Sequence, residues 1–415
     1  MKTLIIAPKE LYVPAIKGGA VETLITHLIN ENEKSEKLNI DVVTQYSKET
    51  SKIAKNFRYT RSIFVNIDTN ISLRLLRTFT RINFLNRVRN KLSNIIYNHH
   101  IIKAIKKYKY DVIITEGGQY KKYEKVYACF PKEKSILHIH SSMNADYFCE
   151  QKYQYYIDIS KFAIDSFLKN SNIDRTNVFL LENCIDEGVF LQRLNKEEYI
   201  ECRNRFNIKP NEKVVLFCGR TVEEKGVKEL ISAFKRIKHI NNTKLLIVGS
   251  TFFGASNEKN KYEKELVELS KDIKDKIVFS GYIPNKELYK VYQVADLAVF
   301  PHICEEGFGL TVVEAMTSGL PIITTNSGAI PDLLKDYINY KVIPKEDKNE
   351  LINSLSQNMD EFLNEVDKLK LECSKKANLI ANKYSTRNYY NNYVKILKEC
   401  LYRNENRNNN ISKRS

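Results

Sequence analysis

At 415 residues the chain is too long for one ordinary core and is expected to form two domains or three, and 43% hydrophobic with 28% charged residues is the composition of a soluble globular protein. No apolar run nears the eighteen or so residues of a membrane span, and Met1 to Pro8 is a short strand pattern without a signal-peptide cleavage site, so the chain is expected in the cytoplasm. The net charge of +16 asks for an acidic partner, and the eight cysteines at 129, 149, 184, 202, 218, 304, 373 and 400 form no C-x-x-C pair, which argues against structural zinc and fits reduced thiols.

In chain order, Thr3 to Pro8 reads as a buried strand. A loop to Lys17-Gly18-Gly19-Ala20 follows, then a helix with Val21, Leu24, Ile25, Leu28 and Ile29 at helical spacing, then a strand at Ile40 to Thr44. Strand, glycine turn, helix and strand make a βαβ unit, the building block of a parallel doubly wound sheet. From Thr69 to Tyr110 there are ten Lys or Arg and no Asp or Glu. Leu73 to Ile105 reads as helical, with Leu75, Leu76, Phe79 and Ile82 on one face, Arg74, Arg77 and Arg81 on the opposite one, and a break suggested by Asn83 and Asn86. Two readings stay open. The helix packs its apolar side on the domain and leaves a solvated basic side, or that side also touches anionic lipid headgroups, each basic side chain being worth about 1 kcal/mol there. No basic motif interleaved with aromatics supports nucleic acid as the partner.

Asp111 to Thr115, Ser135 to His140, Tyr155 to Ser160 and Val178 to Leu181 are further strands, several ending in polar residues: Glu116-Gly117-Gly118, His140-Ser141-Ser142 and Glu182-Asn183-Cys184-Ile185-Asp186. Ligands sit at such carboxyl ends in open parallel sheets. The first domain is expected over 1–186, with the polar residues 187–212 as a linker. A second series follows. Strands at Val214 to Cys218, Leu245 to Val248, Ile277 to Phe279, Leu297 to Phe300 and Ile322 to Thr325 alternate with helices near 226–238, 258–273, 285–293 and 309–318, which predicts a second doubly wound domain over 213–384. Residues 348–401 are helical in pattern, with 385–402 expected to return to the first domain and the Asn-rich, basic 403–415 to be a disordered tail.

Two stretches of the second series carry chemistry. Gly219-Arg220-Thr221-Val222-Glu223-Glu224-Lys225-Gly226 lies between a strand and a helix, and two cations beside a helix N-terminus can contact a diphosphate from two sides, the guanidinium as a planar fork and the ammonium as a point charge. Pro301 to Met316 leaves a buried strand and opens a helix, placing Glu306 just before it and Glu314 on its second turn, an arrangement for gripping one ligand. In the first domain Leu137-His138-Ile139-His140 ends a strand with both imidazoles on one side.

On these residues the chain resembles the retaining glycosyltransferases of family 4. The resemblance lies in the Gly18-Gly19 turn, the His after a strand, the pairs Gly219-Arg220 and Lys225-Gly226, Gly281 after a strand, and Glu306-Gly307-Phe308-Gly309 with Glu314, Ala315-Met316 and Gly319-Leu320-Pro321. It implies an α/β GT-B fold, two doubly wound Rossmann-like domains facing a central cleft. It implies metal-independent transfer of a hexose from a nucleotide sugar, expected to be a UDP-sugar, to a carbohydrate acceptor, expected to be a lipid-linked glycan of a surface polysaccharide. By the same resemblance Arg220 and Lys225 bind the donor diphosphate, Glu306 bonds the sugar hydroxyls and Glu314 the ribose. The amides of Phe308, Gly309 and Leu310 face the phosphates, Tyr282 lies at the base, and Gly18 and Gly19 let the first helix approach the donor. His140, or else His138, lies at the donor sugar. No metal ligands are implied, and no Asp-x-Asp triad supplies a site. The enzyme is then expected to be peripheral at the inner face of the cell membrane through basic residues 74–109. The rivals are a transferase of a soluble or protein acceptor and a non-catalytic coat or structural protein that kept the fold.

Overall fold

Runs of four to six branched apolar residues are long enough for strands and too short for helices, and where both faces are buried the sheet is parallel with helices on either side. A computed structural model of the protein describes residues 1–16, 18–67, 83–117, 120–250 and 261–412. It divides into two compact units, Met1–Glu182 with Thr386–Ser415, and Asn183–Ser385.

In the first unit β1 (Lys2–Ile6), β2 (Asn39–Gln45), β3 (Thr60–Val65), β4 (Val112–Glu116), β5 (Ser135–His138), β6 (Tyr155–Asp158) and β7 (Val178–Leu180) form one sheet in the order β3-β2-β1-β4-β5-β6-β7. In the second, β8 (Lys213–Cys218), β9 (Thr243–Val248), β10 (Ile277–Gly281), β11 (Leu297–Phe300), β12 (Ile322–Thr325) and β13 (Tyr340–Ile343) lie in the order β10-β9-β8-β11-β12-β13. All the pairings are parallel. Strand order reverses beside the first strand of each sheet. A crevice therefore opens at the carboxyl ends of β1 and β4 in one unit and of β8 and β11 in the other, where ligands bind in this architecture.

Each unit has its own core. Leu4, Ile6, Ile113, Leu137 and Ile139 pack with Tyr97 and Ile101 of helix Asn83–Lys107 in the first, and Val215, Phe217, Ile247 and Val299 pack with Val227, Leu230 and Phe234 of helix Val227–Phe234 in the second.

Several expectations are corrected. The edge strands β3 and β13 were not foreseen, and the strand from Tyr155 stops at Asp158 because Ser160 caps helix Lys161–Leu168, its hydroxyl accepting the Ala163 N–H at 3.0 Å. Residues 187–212 are no linker. They form helices Glu187–Phe190 and Lys196–Arg205 inside the second unit, and the Leu194 N–H donates to Gln293 Oε1 at 2.9 Å. Nor is the tail disordered up to 412, since helix Thr386–Ser412 continues through it. The Arg403 guanidinium donates to the Thr176 carbonyl at 2.6 Å and the Tyr155 hydroxyl to Asn404 Oδ1 at 2.8 Å, which holds the helix on the first unit past residue 402. Helix Asn83–Lys107 runs without a break at Asn86, while Arg74, Leu75, Leu76, Arg77, Phe79, Arg81, Ile82 and Gly118 lie outside the described residues. No helix among the described residues is long and apolar enough to cross a membrane.

Candidate active site

In the second unit the chain leaves β8 through Gly219 and the exposed Arg220 into a single turn, Glu223–Lys225, which ends on Gly226 at φ 69°. The Ile303 N–H donates to the Glu224 carbonyl at 2.9 Å, so the loop after β8 is fastened to the loop after β11. Position 226 must be glycine for this approach, because a Cβ would lie 1.8 Å from the Pro301 carbonyl oxygen. The fastening brings the Lys225 ammonium onto Glu306 Oε2. His302 is buried with Nε2 3.6 Å from the same oxygen. Burial acts to raise the Glu306 carboxyl, but the Lys225 ammonium, His302 and the Phe308 N–H outweigh it and hold the group below its usual value. His302 itself is driven down to about 3, first by burial and then by Lys225, and is neutral at physiological pH.

Glu314 sits differently. Helix Leu310–Thr317 carries it into the interior, where Oε2 accepts the Tyr292 hydroxyl at 2.7 Å. Burial pushes its carboxyl up to about 7, and the Tyr292 hydrogen bond offsets only part of that rise. The two glutamates, alike in sequence, are thus unlike in state: Glu306 is a paired anion, and Glu314 gains or loses a proton near neutrality. The Phe308 N–H lies on the side of Glu306 and helps to hold that carboxyl low. Gly309, at φ 104°, and Leu310 open the helix, and Tyr282 is half-buried just after β10.

The first unit holds a second cluster. Gly18 and Gly19 take φ of 81° and 100° before helix Ala20–Ser35, and a Cβ on Gly19 would come 2.3 Å from Glu22 Oε2. The register of β4 on β5 sets Glu116 beside His138, and His140, two residues on and past the strand end, shares that side. His140 Nε2 lies 2.7 Å from Glu116 Oε2 in a hydrogen bond; His138 Nδ1 lies 2.9 Å from the same oxygen but out of line for one. Burial works against the Glu116 charge, yet the two imidazoles outweigh it and bring the carboxyl down to about 2. Burial, then His138, lowers His140 to about 4. One carboxylate and two imidazoles within 4.8 Å are the donors of a possible metal site. Two ligands on one first-row metal at ~2.1 Å stand about 3 Å or more apart, whereas the His140 separation of 2.7 Å is that of a hydrogen bond.

Glu116, Tyr292 and His302 received no role from sequence. The Glu116 signal was present, a carboxylate ending the strand before the one with both histidines, but the register that joins them belongs to the sheet.

Residues 199–379 match the model of the family "Glycosyl transferases group 1". This segment belongs to that family. The chain is 24% identical over 291 residues to the lipopolysaccharide 1,2-N-acetylglucosaminetransferase of Salmonella typhimurium, a span of 69% of this chain and 73% of that protein. Its fold is similar to the crystal structure of a glycosyltransferase from Rickettsia africae, with a TM-score of 0.75 at 18% identity over 96% of this chain and 98% of that one. It is also similar to Anabaena HepE, crystallised with UDP-glucose, with a TM-score of 0.71 at 13% identity over 96% and 99%. The chain thus has the GT-B fold, a pair of Rossmann-like domains.

Proposed function

We propose that the protein is a retaining transferase that moves a hexose from a UDP-sugar to a carbohydrate acceptor, a lipid-linked glycan of a surface polysaccharide. The observation that carries this is the meeting of Lys225 with Glu306 at the β8/β11 switch point, with Glu314 on the helix that follows. Support for UDP comes from the fold likeness to HepE, which binds UDP-glucose, and support for a glycan acceptor from the Salmonella relative named for lipopolysaccharide.

As the bond from the anomeric carbon to the diphosphate breaks, positive charge develops on the ring and negative charge on the leaving phosphate. Lys225 turns from Glu306 to that phosphate, and Arg220 grips it with its planar fork. Glu306, released, accepts sugar hydroxyls, while Glu314 accepts the ribose and Tyr282 lies at the base. The Gly309 and Leu310 amides and the Gly18-Gly19 turn complete the phosphate surroundings, and His140 contacts the sugar. The acceptor attacks the face that the diphosphate leaves, and its proton passes to the departing phosphate oxygen, so neither a side-chain base nor a metal is required.

Titration calorimetry with UDP and GDP, near pH 7 and in buffers of different ionisation enthalpy, tests this. UDP is expected to bind in preference to GDP, and its binding to release protons, because ribose hydroxyls bond ionised Glu314 more strongly than the protonated carboxyl and so pull the group down from about 7. No nucleotide binding at all would favour a non-catalytic protein.

The membrane part of the proposal rests on basic residues 74–109. On helix Asn83–Lys107, Lys91, Lys103, Lys106 and Lys107 are exposed while Tyr97 and Ile101 are buried, which leaves a basic outer side. Co-sedimentation with vesicles rich in phosphatidylglycerol is expected to fall when Arg74, Arg77 and Arg81 are changed to glutamine; binding that ignores the change would leave the patch merely solvated.

A further inference from the structure

We infer that Glu116 is a positioning residue that locks His140 in its Nε2–H tautomer and so presents Nδ1 as a hydrogen-bond acceptor to a hydroxyl of the donor sugar. This rests on the placement of His140 at the sugar proposed above.

The argument starts from the register. β4 and β5 run parallel with Glu116 opposite His138, so the carboxylate that ends one strand lies against the imidazole that ends the next. Both imidazoles reach for one oxygen, Oε2, and only His140 is in line with it, at 2.7 Å. An ionised carboxylate accepts and never donates, so the proton of that bond is on His140 Nε2. Nδ1 is then the bare nitrogen.

What Nδ1 meets decides the function. It is buried and has no hydrogen-bond partner among the described residues. A buried polar atom without a partner is unfavourable unless a ligand supplies one, and a bare imidazole nitrogen asks for a donor such as a sugar hydroxyl. His138, whose two nitrogens are likewise without a hydrogen-bond partner among the described residues, lies deeper than His140. Its side chain is fully buried, its ring centroid is 4.1 Å from that of His140, and the Tyr393 ring of helix Thr386–Ser412 lies 6.3 Å away. It backs the other two. At neutral pH the lowered values of Glu116 and His140 keep the first ionised and the second neutral, the states that the lock requires.

The test is Glu116→Gln, of nearly the same shape. Its amide can donate to His140 Nε2, which sends the ring proton to Nδ1 and turns the acceptor into a donor. In full-length protein the ring 15N shifts of His140, assigned by their absence in His140→Asn, are expected to change from the Nε2–H to the Nδ1–H pattern. Donor-sugar turnover is expected to fall roughly 10- to 100-fold, the order of magnitude for losing the partner that orients a metal-bound imidazole, while affinity for UDP, which lacks the donor hexose, is unchanged. In a His140→Asn background the same substitution is expected to cost nothing more, since asparagine places an amide oxygen near the Nδ1 position and has no tautomer to lock. Equal losses in both backgrounds would make Glu116 merely structural and overturn the inference, as would an unchanged 15N pattern. Loss of wild-type activity on chelation, restored by zinc, would overturn it in favour of a metal. If His140→Ala left transfer intact, the placement of His140 at the sugar would fall, and the 15N shifts would still report on the lock alone.

Discussion

Changing Lys225 to alanine is expected to lower turnover about 10²- to 10³-fold, the range for removing one group aimed at developing negative charge. Two effects act together. The leaving diphosphate loses an ammonium, and Glu306, whose partner that ammonium is, becomes an unpaired anion beside the phosphate. A second substitution separates them. Adding Glu306→Gln to Lys225→Ala removes the repulsion but supplies no positive charge, so UDP affinity is expected to recover while turnover stays low. Isothermal titration with UDP and slow hydrolysis of UDP-hexose without acceptor measure the two quantities. Turnover close to wild type in Lys225→Ala would remove the residue from the leaving-group site.

Much of this site was legible because its parts are local. Arg220, Lys225 and Glu306 lie in the loops that leave β8 and β11, and Glu314 on the helix that opens just after the second of these loops, and in a doubly wound sheet such loops fall at one edge whatever the details of packing. What could not be read depends on neighbours distant in the chain. Tyr292 is one apolar position among several on helix Asn285–Val294, and only packing turns its hydroxyl onto Glu314. The different states of the two glutamates follow from that packing. Likewise Glu116 meets His138 through the pairing of β4 with β5, which no local pattern specifies. The edge strands escaped for a further reason. Thr60–Val65 and Tyr340–Ile343 have a neighbour on one side only and carry Arg61, Ser62 and Lys341 among their apolar residues, so neither shows the continuous run of a central strand. The helical tail was misread because its composition is that of a disordered segment, whereas Arg403 and Asn404 are fastened one by one to carbonyls and to Tyr155.

Gly226→Ala is expected to be among the most damaging small changes in the second unit, and Gly281→Ala shows why. The two glycines have nearly the same backbone, φ 69° and 70°. A methyl group at 281 meets nothing within 4 Å, so alanine there bears only the left-handed strain, about 1–2 kcal/mol. At 226 the same methyl would lie 1.8 Å from the Pro301 carbonyl oxygen and 2.9 Å from its carbon. Backbone cannot rotate aside as a side chain does, so the loop after β8 has to lift from the loop after β11. That movement strains the Ile303-to-Glu224 hydrogen bond and draws Lys225 from Glu306. The loss is expected to reach roughly 3–5 kcal/mol, lowering the melting midpoint of this unit by on the order of 10 °C and UDP-sugar turnover with it. Calorimetric melting of both variants decides the matter: equal shifts would mean that left-handed strain alone, and no contact with Pro301, requires glycine at 226.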